Sequence, residues 1–243
     1  MQPDQLSVSC DPAALLASRN ARWRPGLAAP AHSEILASGR EGAGAGFALA
    51  LARDAWRSAA PGETTCEDDR AVLWVQDRAT VRLTGRPYRP GLPTDLRHRL
   101  IHVVAEKPED ALFALEEGLR CRELAFVIGE LAGNPRALDF TASRRLSLAA
   151  ERHGVPLWLI RLDAARDLSS ARMRWEVHSA ASPPPRWNPA APGLPSWHAE
   201  LFRARTHIPG EWILRDDRGS LAAAPPHPVG LAFAAGDRSL AAG

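Results

Sequence analysis

The chain has 243 residues, 45% of them hydrophobic, which is enough to bury a core and excludes wholesale disorder. Thirty basic against 28 acidic residues leave a formal charge of +2, so composition excludes a polycationic nucleic-acid binder. Lys107 is the only lysine, and Cys10, Cys66 and Cys121 are scattered without metal or disulfide spacing, which excludes lysine-dependent chemistry elsewhere, a zinc site and a disulfide framework.

Residues 1–31 read as an N-terminal helical arm, with a short helix over 11–20 that carries Pro12 at its first position and is broken by Trp23-Arg24-Pro25-Gly26. MQPDQLSVSC has neither a basic nor an apolar signal region, and no run nears 18 apolar residues. A cytoplasmic, membrane-free setting is the expectation.

Residues 32–172 read as an α/β core. A glycine-rich turn runs into an apolar helix over 44–56, and AVLWVQ (71–76) and RLIHVV (99–104) follow as buried strands. Pro108-Glu109-Asp110 starts a helix whose Leu112, Leu115 and Leu119 form a core-facing stripe. LAFVIG (124–129) is the next strand, a helix over 141–153 is capped by Asp139 or Thr141, and VPLWLIRL (155–162) is another strand. Strands alternating with helices predict a mainly parallel central sheet.

From Met173 the long helices stop. MRWEVHSA, HAELFRAR and EWILRD read as an antiparallel β extension over 173–216, interrupted by the proline-rich SPPPRWNPAAPGLPSW. The Ala/Gly/Pro-rich residues 217–243 read as a flexible tail.

The most informative stretch is GREGAGAG, residues 39–46. Gly39 and Gly44 have the spacing of the phosphate-binding pattern GxxxxGK[ST], with Gly42 between them, but Ala45 and Gly46 occupy the Lys and Ser/Thr positions. Without the lysine charge and the Mg²⁺-holding hydroxyl, standard ATP hydrolysis is not expected. What remains is a tight strand-to-helix turn or a weak anion site at a helix N-terminus. The Mg²⁺ carboxylate of such sites belongs at the end of an apolar strand. Here Gly129 stands at that position, and Glu130, one residue on, is expected on the opposite face. Asp77, after LWVQ, reads as a turn or cap residue before a catalytic acid.

SEILASGREGAGAGFALALA, ALEEGLRCRELAFVIGE, FTASRRLSLAAERHGVPLWLIR, SSARMRWEV and ELFRARTHIPGEWILR, in this order, resemble the ImuA family over about residues 33–215. The resemblance implies a RecA-like P-loop-type α/β core with a degenerate loop, related also to the cell-division inhibitor SulA. It implies a non-enzymatic, cofactor-free accessory role in SOS-induced translesion DNA synthesis, beside an ImuB-like inactive relative of Y-family polymerases. An error-prone replicative-type polymerase and RecA are further partner candidates. The alternatives are a RecA-like nucleotide-binding recombination modulator and a SulA-like division inhibitor.

Arg144 and Arg145 can align with Arg152 on the 141–153 helix, either as a partner or phosphate contact or as a solvated face. Arg172, Arg174, Arg203 and Arg205 interleave with Trp175 and Trp212 in the extension. That mixture suits weak single-stranded DNA contact, a protein interface, or tryptophans that only pack the strands down. The histidines show no metal-ligand spacing, and His102, in an apolar strand, reads as a core histidine.

Overall fold

A computed structural model describes residues 21–28, 30–58, 68–185 and 187–223. The helix expected over 11–20, Cys10, Cys66 and residues 224–243 of the expected tail lie outside them.

The described residues form one nine-stranded sheet with the order β3-β2-β4-β5-β1-β6-β7-β8-β9. Its parallel part comprises β1 (His32–Ala37), β2 (Ala71–Asp77), β3 (Leu100–Ala105), β4 (Leu124–Ala132), β5 (Leu157–Leu162) and β6 (Met173–Ser179). β7 (Ser196–Ala204), β8 (Gly210–Asp217) and β9 (Ser220–Ala223) continue it antiparallel. The expected mainly parallel sheet with C-terminal antiparallel strands is therefore present.

Three details differ from the sequence expectation. β1 was not recognised as a strand, because it opens with three polar residues, His32, Ser33 and Glu34, all of them buried. β6 runs parallel to β1 and belongs to the core sheet, so the antiparallel part begins one strand later than Met173. Residues 218–223, expected in the tail, belong to the sheet, since a turn at Arg218-Gly219, both at positive φ, returns the chain as β9. Leu221 is the apolar residue that anchors this strand in the core.

The helices follow their local chemistry. α1 (Ala43–Ser58) leaves the glycine turn after β1 and packs one face of the sheet with Phe47, Leu51 and Ala55. α2 (Arg78–Thr84) is capped by Asp77, whose carboxylate accepts the Thr80 N–H at 2.7 Å. α3 (Pro108–Arg120) starts on its proline, and α4 (Phe140–His153) starts on Asp139, which accepts the Ala142 N–H at 2.7 Å. Gly154, left-handed at φ 72°, ends α4. α3 and α4 bury Leu112, Leu115, Leu119 and Leu146 on the face opposite α1.

The ten residues 163–172 carry the chain from β5 past β1 to β6 without a helix. Serines pin this crossing to α4, with Ser143 Oγ 3.2 Å from Ser169 Oγ and 3.1 Å from Ser170 Oγ. Ser147 Oγ lies 2.6 Å from Ser170 Oγ and 2.8 Å from His32 Nδ1, so the network reaches into β1. No helix among the described residues is long and apolar enough to cross a membrane.

Candidate functional site

The carboxyl ends of β1, β2, β4 and β5 meet at one edge, where open α/β sheets place ligands. A cleft of about 490 Å³ opens there. The glycine loop forms one wall, the segment from Leu83 to Leu92 forms the other, and Trp74, Gln76 and Glu130 form the floor.

Each glycine of the loop meets a different neighbour. The Gly39 N–H donates to Asp163 Oδ1 at 3.0 Å, and a Cβ on Gly39 would stand 2.6 Å from Leu83 Cδ2 and 2.8 Å from Asp163 Oδ2. A Cβ on Gly44 would meet Ala37 Cβ at 2.9 Å and Ile160 Cγ2 at 3.0 Å, so glycine lets α1 close onto β1 and β5. On Gly46 it would meet the Trp197 ring at 3.2 Å, whereas Gly42 faces open space. Ala45 lines the cleft and brings no charge to it. Packing thus accounts for three of these glycines, independently of any ligand.

The cleft is lined by charge of both signs, Glu41 and Glu130 with Arg40 and Arg86. Glu41, in the loop itself, accepts the Ser179 N–H at 3.1 Å and faces His178 Nδ1 at 3.6 Å, and the bond from Ser179 holds its carboxyl below the usual range. Glu130 was expected to face away from the loop, but it lines the cleft instead. It is Gly129 that faces the other way, where a Cβ would meet Leu115 and Leu159. The strand alternates as expected. The error lay in the starting residue, since Phe126, Ile128 and Glu130 share the α1 face.

Glu130 is buried and accepts from Gln76 Nε2 at 2.8 Å, Thr84 Oγ1 at 3.1 Å and Trp74 Nε1 at 3.2 Å. Burial pushes its carboxyl up from the ordinary value, against the pull of those donors. His102 extends this chain, since its Nε2 lies 2.9 Å from Gln76 Oε1. His102 is half-buried on β3, which is the edge strand among the described residues, and is not a core residue. Asp77 caps α2, the turn-or-cap role its position predicts. Among the described residues no group of three His, Cys, Asp or Glu could hold a metal ion.

The arginines and tryptophans divide by burial. Trp175 is fully buried, with its ring 4.8 Å from Trp23, 5.6 Å from Phe47 and 5.8 Å from Trp212. Arg174 is also buried, its Nε 2.5 Å from Glu34 Oε2, while Arg161 Nη1 holds Glu34 Oε1 at 3.1 Å. These two side chains are core and not contact surface, because β6 lies inside the sheet. Trp212 is half-buried under Arg22, whose guanidinium carbon stands 5.1 Å from the ring centre.

Arg203 and Arg205 are exposed, and Arg172 is paired with Glu151. Arg144 and Arg145 are exposed on α4, with Arg145 Nε 3.3 Å from Glu116 of α3. Sequence reasoning missed Asp163 and the Glu34–Arg161–Arg174 triad. The available signal was a charged residue inside an apolar strand, Glu34 in HSEILA and Arg161 in LWLIRL.

The fold and cleft define an α/β protein with a mostly parallel sheet and a lysine-free glycine loop at its carboxyl edge. No family model matches the chain. It is 34% identical over 182 residues to the curated Protein ImuA of Caulobacter vibrioides strain NA1000 / CB15N, covering 71% of this chain and 70% of the relative. Protein ImuA of strain ATCC 19089 / CIP 103742 / CB 15 matches to the same extent. The chain belongs to the ImuA family.

Proposed function

We propose that this chain is a non-enzymatic accessory protein of damage-induced, error-prone translesion DNA synthesis, with a RecA-like core that works through protein contacts. Its membership of the ImuA family supports the process. The chemistry of the glycine loop supports the absence of catalysis. A triphosphate entering the cleft would meet Glu41 and Glu130 among its lining and Asp163 behind the loop, with Ala45 where a cation is needed. Arg40 and Arg86 reach the rim, but neither rises from the helix start that would place it on the β/γ-phosphates.

The partner in this reading is an ImuB-like inactive Y-family polymerase relative, within an assembly that includes an error-prone replicative-type polymerase. Co-purification of the full chain with that protein is the expected result, and a folded chain that ignores it sinks the partner assignment. The cleft keeps one second reading in view, nucleotide-gated assembly on a RecA-like core. Titration calorimetry with Mg²⁺ and millimolar ATP separates the two. The accessory reading expects no saturable heat, and saturable binding overturns it.

A further inference from the structure

We propose that the outer face of α4 is a protein-docking surface for an acidic amphipathic segment of a partner. The inference rests on the reading above, that the chain works through protein contacts, and deepens it by locating the contact.

Phe140, Arg144, Leu148 and Arg152 follow one another at intervals of four along α4, so they form a single outward stripe. All four are exposed, with Phe140 at 47% and Leu148 at 52%. The inner face is already complete with Ala142, Leu146 and Ala150, so the outward Phe and Leu add nothing to the core.

Two further exposed apolar residues stand on the elements packed beside α4. Leu168, 76% exposed, sits on the crossing loop that Ser169 ties to Ser143. Phe113, 66% exposed, stands one turn before Glu116, the α3 residue bonded to Arg145. A single exposed apolar side chain is ordinary on a surface, whereas four on one helix and the two elements beside it point to a contact site.

Charge selects the occupant. Among the described residues Arg144 and Arg152 have no carboxylate partner, while neighbouring Arg145 and Arg172 have Glu116 and Glu151. Phe140 and Leu148, eight residues apart, are separated by about 12 Å along the helix. The complementary surface therefore carries two apolar side chains about that far apart, as at seven- or eight-residue spacing on a helix, with a carboxylate beside each. A nucleic-acid backbone would reward unbroken positive charge and would gain nothing from Leu148. Phe and Arg together are the composition of protein interface centres.

The test uses the full chain with R144E/R152E and, separately, L148S, all exposed positions that should leave thermal unfolding unchanged. R24E/R82E, at exposed arginines that lie outside both α4 and the β extension, is the control. Binding to the ImuB-like protein and damage-induced mutation frequency, in a host lacking its own copy of the gene, are measured together. Both α4 variants should weaken binding at least tenfold and depress mutation frequency, with the control unaffected.

If the unmodified chain binds and the α4 variants bind equally well, the α4 surface is refuted while the protein-contact reading stands. If the unmodified chain does not bind, the assigned partner is wrong and mutation frequency decides: its loss in both α4 variants supports the surface, and its retention overturns it. An unmodified gene that fails to restore mutation overturns both. Sensitivity of single-stranded DNA binding to R144E/R152E but not L148S gives the face to nucleic acid, and dimers dissolved by the α4 variants give it to a second copy. Either result overturns the acidic partner.

Discussion

The Asp163 carboxylate accepts the Gly39 N–H at 3.0 Å, joining the residue that follows β5 to the first glycine of the loop after β1. Asp163 lies at φ 51°, in the left-handed region that Asp tolerates better than most residues, and its own N–H bonds Ala37 O at 2.9 Å. The turn is thus fastened from both sides by the neighbouring strand. Its shape is set by the protein's own anion.

Glycine substitutions separate packing from ligand binding in this loop. G44A drives a methyl to 2.9 Å from Ala37 Cβ and 3.0 Å from buried Ile160 and should cost about 1–3 kcal/mol, whereas G39A meets the ends of the exposed Leu83 and Asp163 side chains, which can shift, and should cost less. G42A meets nothing within 4 Å and should stay within about 0.5 kcal/mol of the unmodified chain. Urea unfolding of the three variants measures the order. Equal stability of G44A and G42A would break the packing account.

Glu34 is the shared anion of two buried arginines, Arg161 and Arg174, at 3.1 and 2.5 Å. Removing it leaves two guanidinium groups buried with one partner fewer, and such losses cost about 3–5 kcal/mol. E34A should therefore lower the melting temperature more than any of the glycine variants, measured by calorimetry at neutral pH. A shift as small as that of G42A would mean that water replaces the carboxylate.

The alternation of strands and helices was legible because each helix repeats its apolar residues at three and four, and the strands are short apolar runs. β1 was not, because His32, Ser33 and Glu34 look like surface until their partners Ser147, Arg161 and Arg174 arrive from more than a hundred residues away. α2 was missed because RATVRLT is short and polar, and only Thr80 of it is buried. The glycine loop was readable as lacking its lysine. The acid on the cleft floor was misplaced, because a one-residue choice of start reverses every side chain of a strand. The sequence leaves Trp175 and Arg174 open between contact surface and packing, since composition does not show that the first strand of the extension joins the parallel core beside β1.

His32 should shape the acid limb of stability. Burial, with Arg174 and Arg172 nearby, lowers its pKa from 6.5 to about 3, so the native imidazole stays neutral while the unfolded one takes up a proton. The stability it contributes is full above 6.5 and is lost as pH falls toward about 3, by at most about 1.4 kcal/mol per pH unit. H32N keeps a polar atom for Ser147 but cannot titrate. Its unfolding free energy, followed by urea from pH 7 to 4, should fall less steeply than that of the unmodified chain. Parallel slopes would place the His32 proton elsewhere.

Glu130 should act in the opposite direction. Its native pKa lies above the unfolded value because burial penalises the carboxylate, so it favours the fold most when protonated and loses that contribution as pH rises through the native pKa. Glutamine can accept from Trp74 and Gln76 through its carbonyl and donate to Thr84 Oγ1, preserving all three contacts without the buried charge. E130Q should therefore melt higher than the unmodified chain at pH 7 to 8, and the difference should shrink on acidification as Glu130 gains its own proton. If E130Q melts lower at pH 8, the carboxylate is stabilised by its three donors beyond the cost of burying it, and the cleft floor holds a true anion at neutral pH.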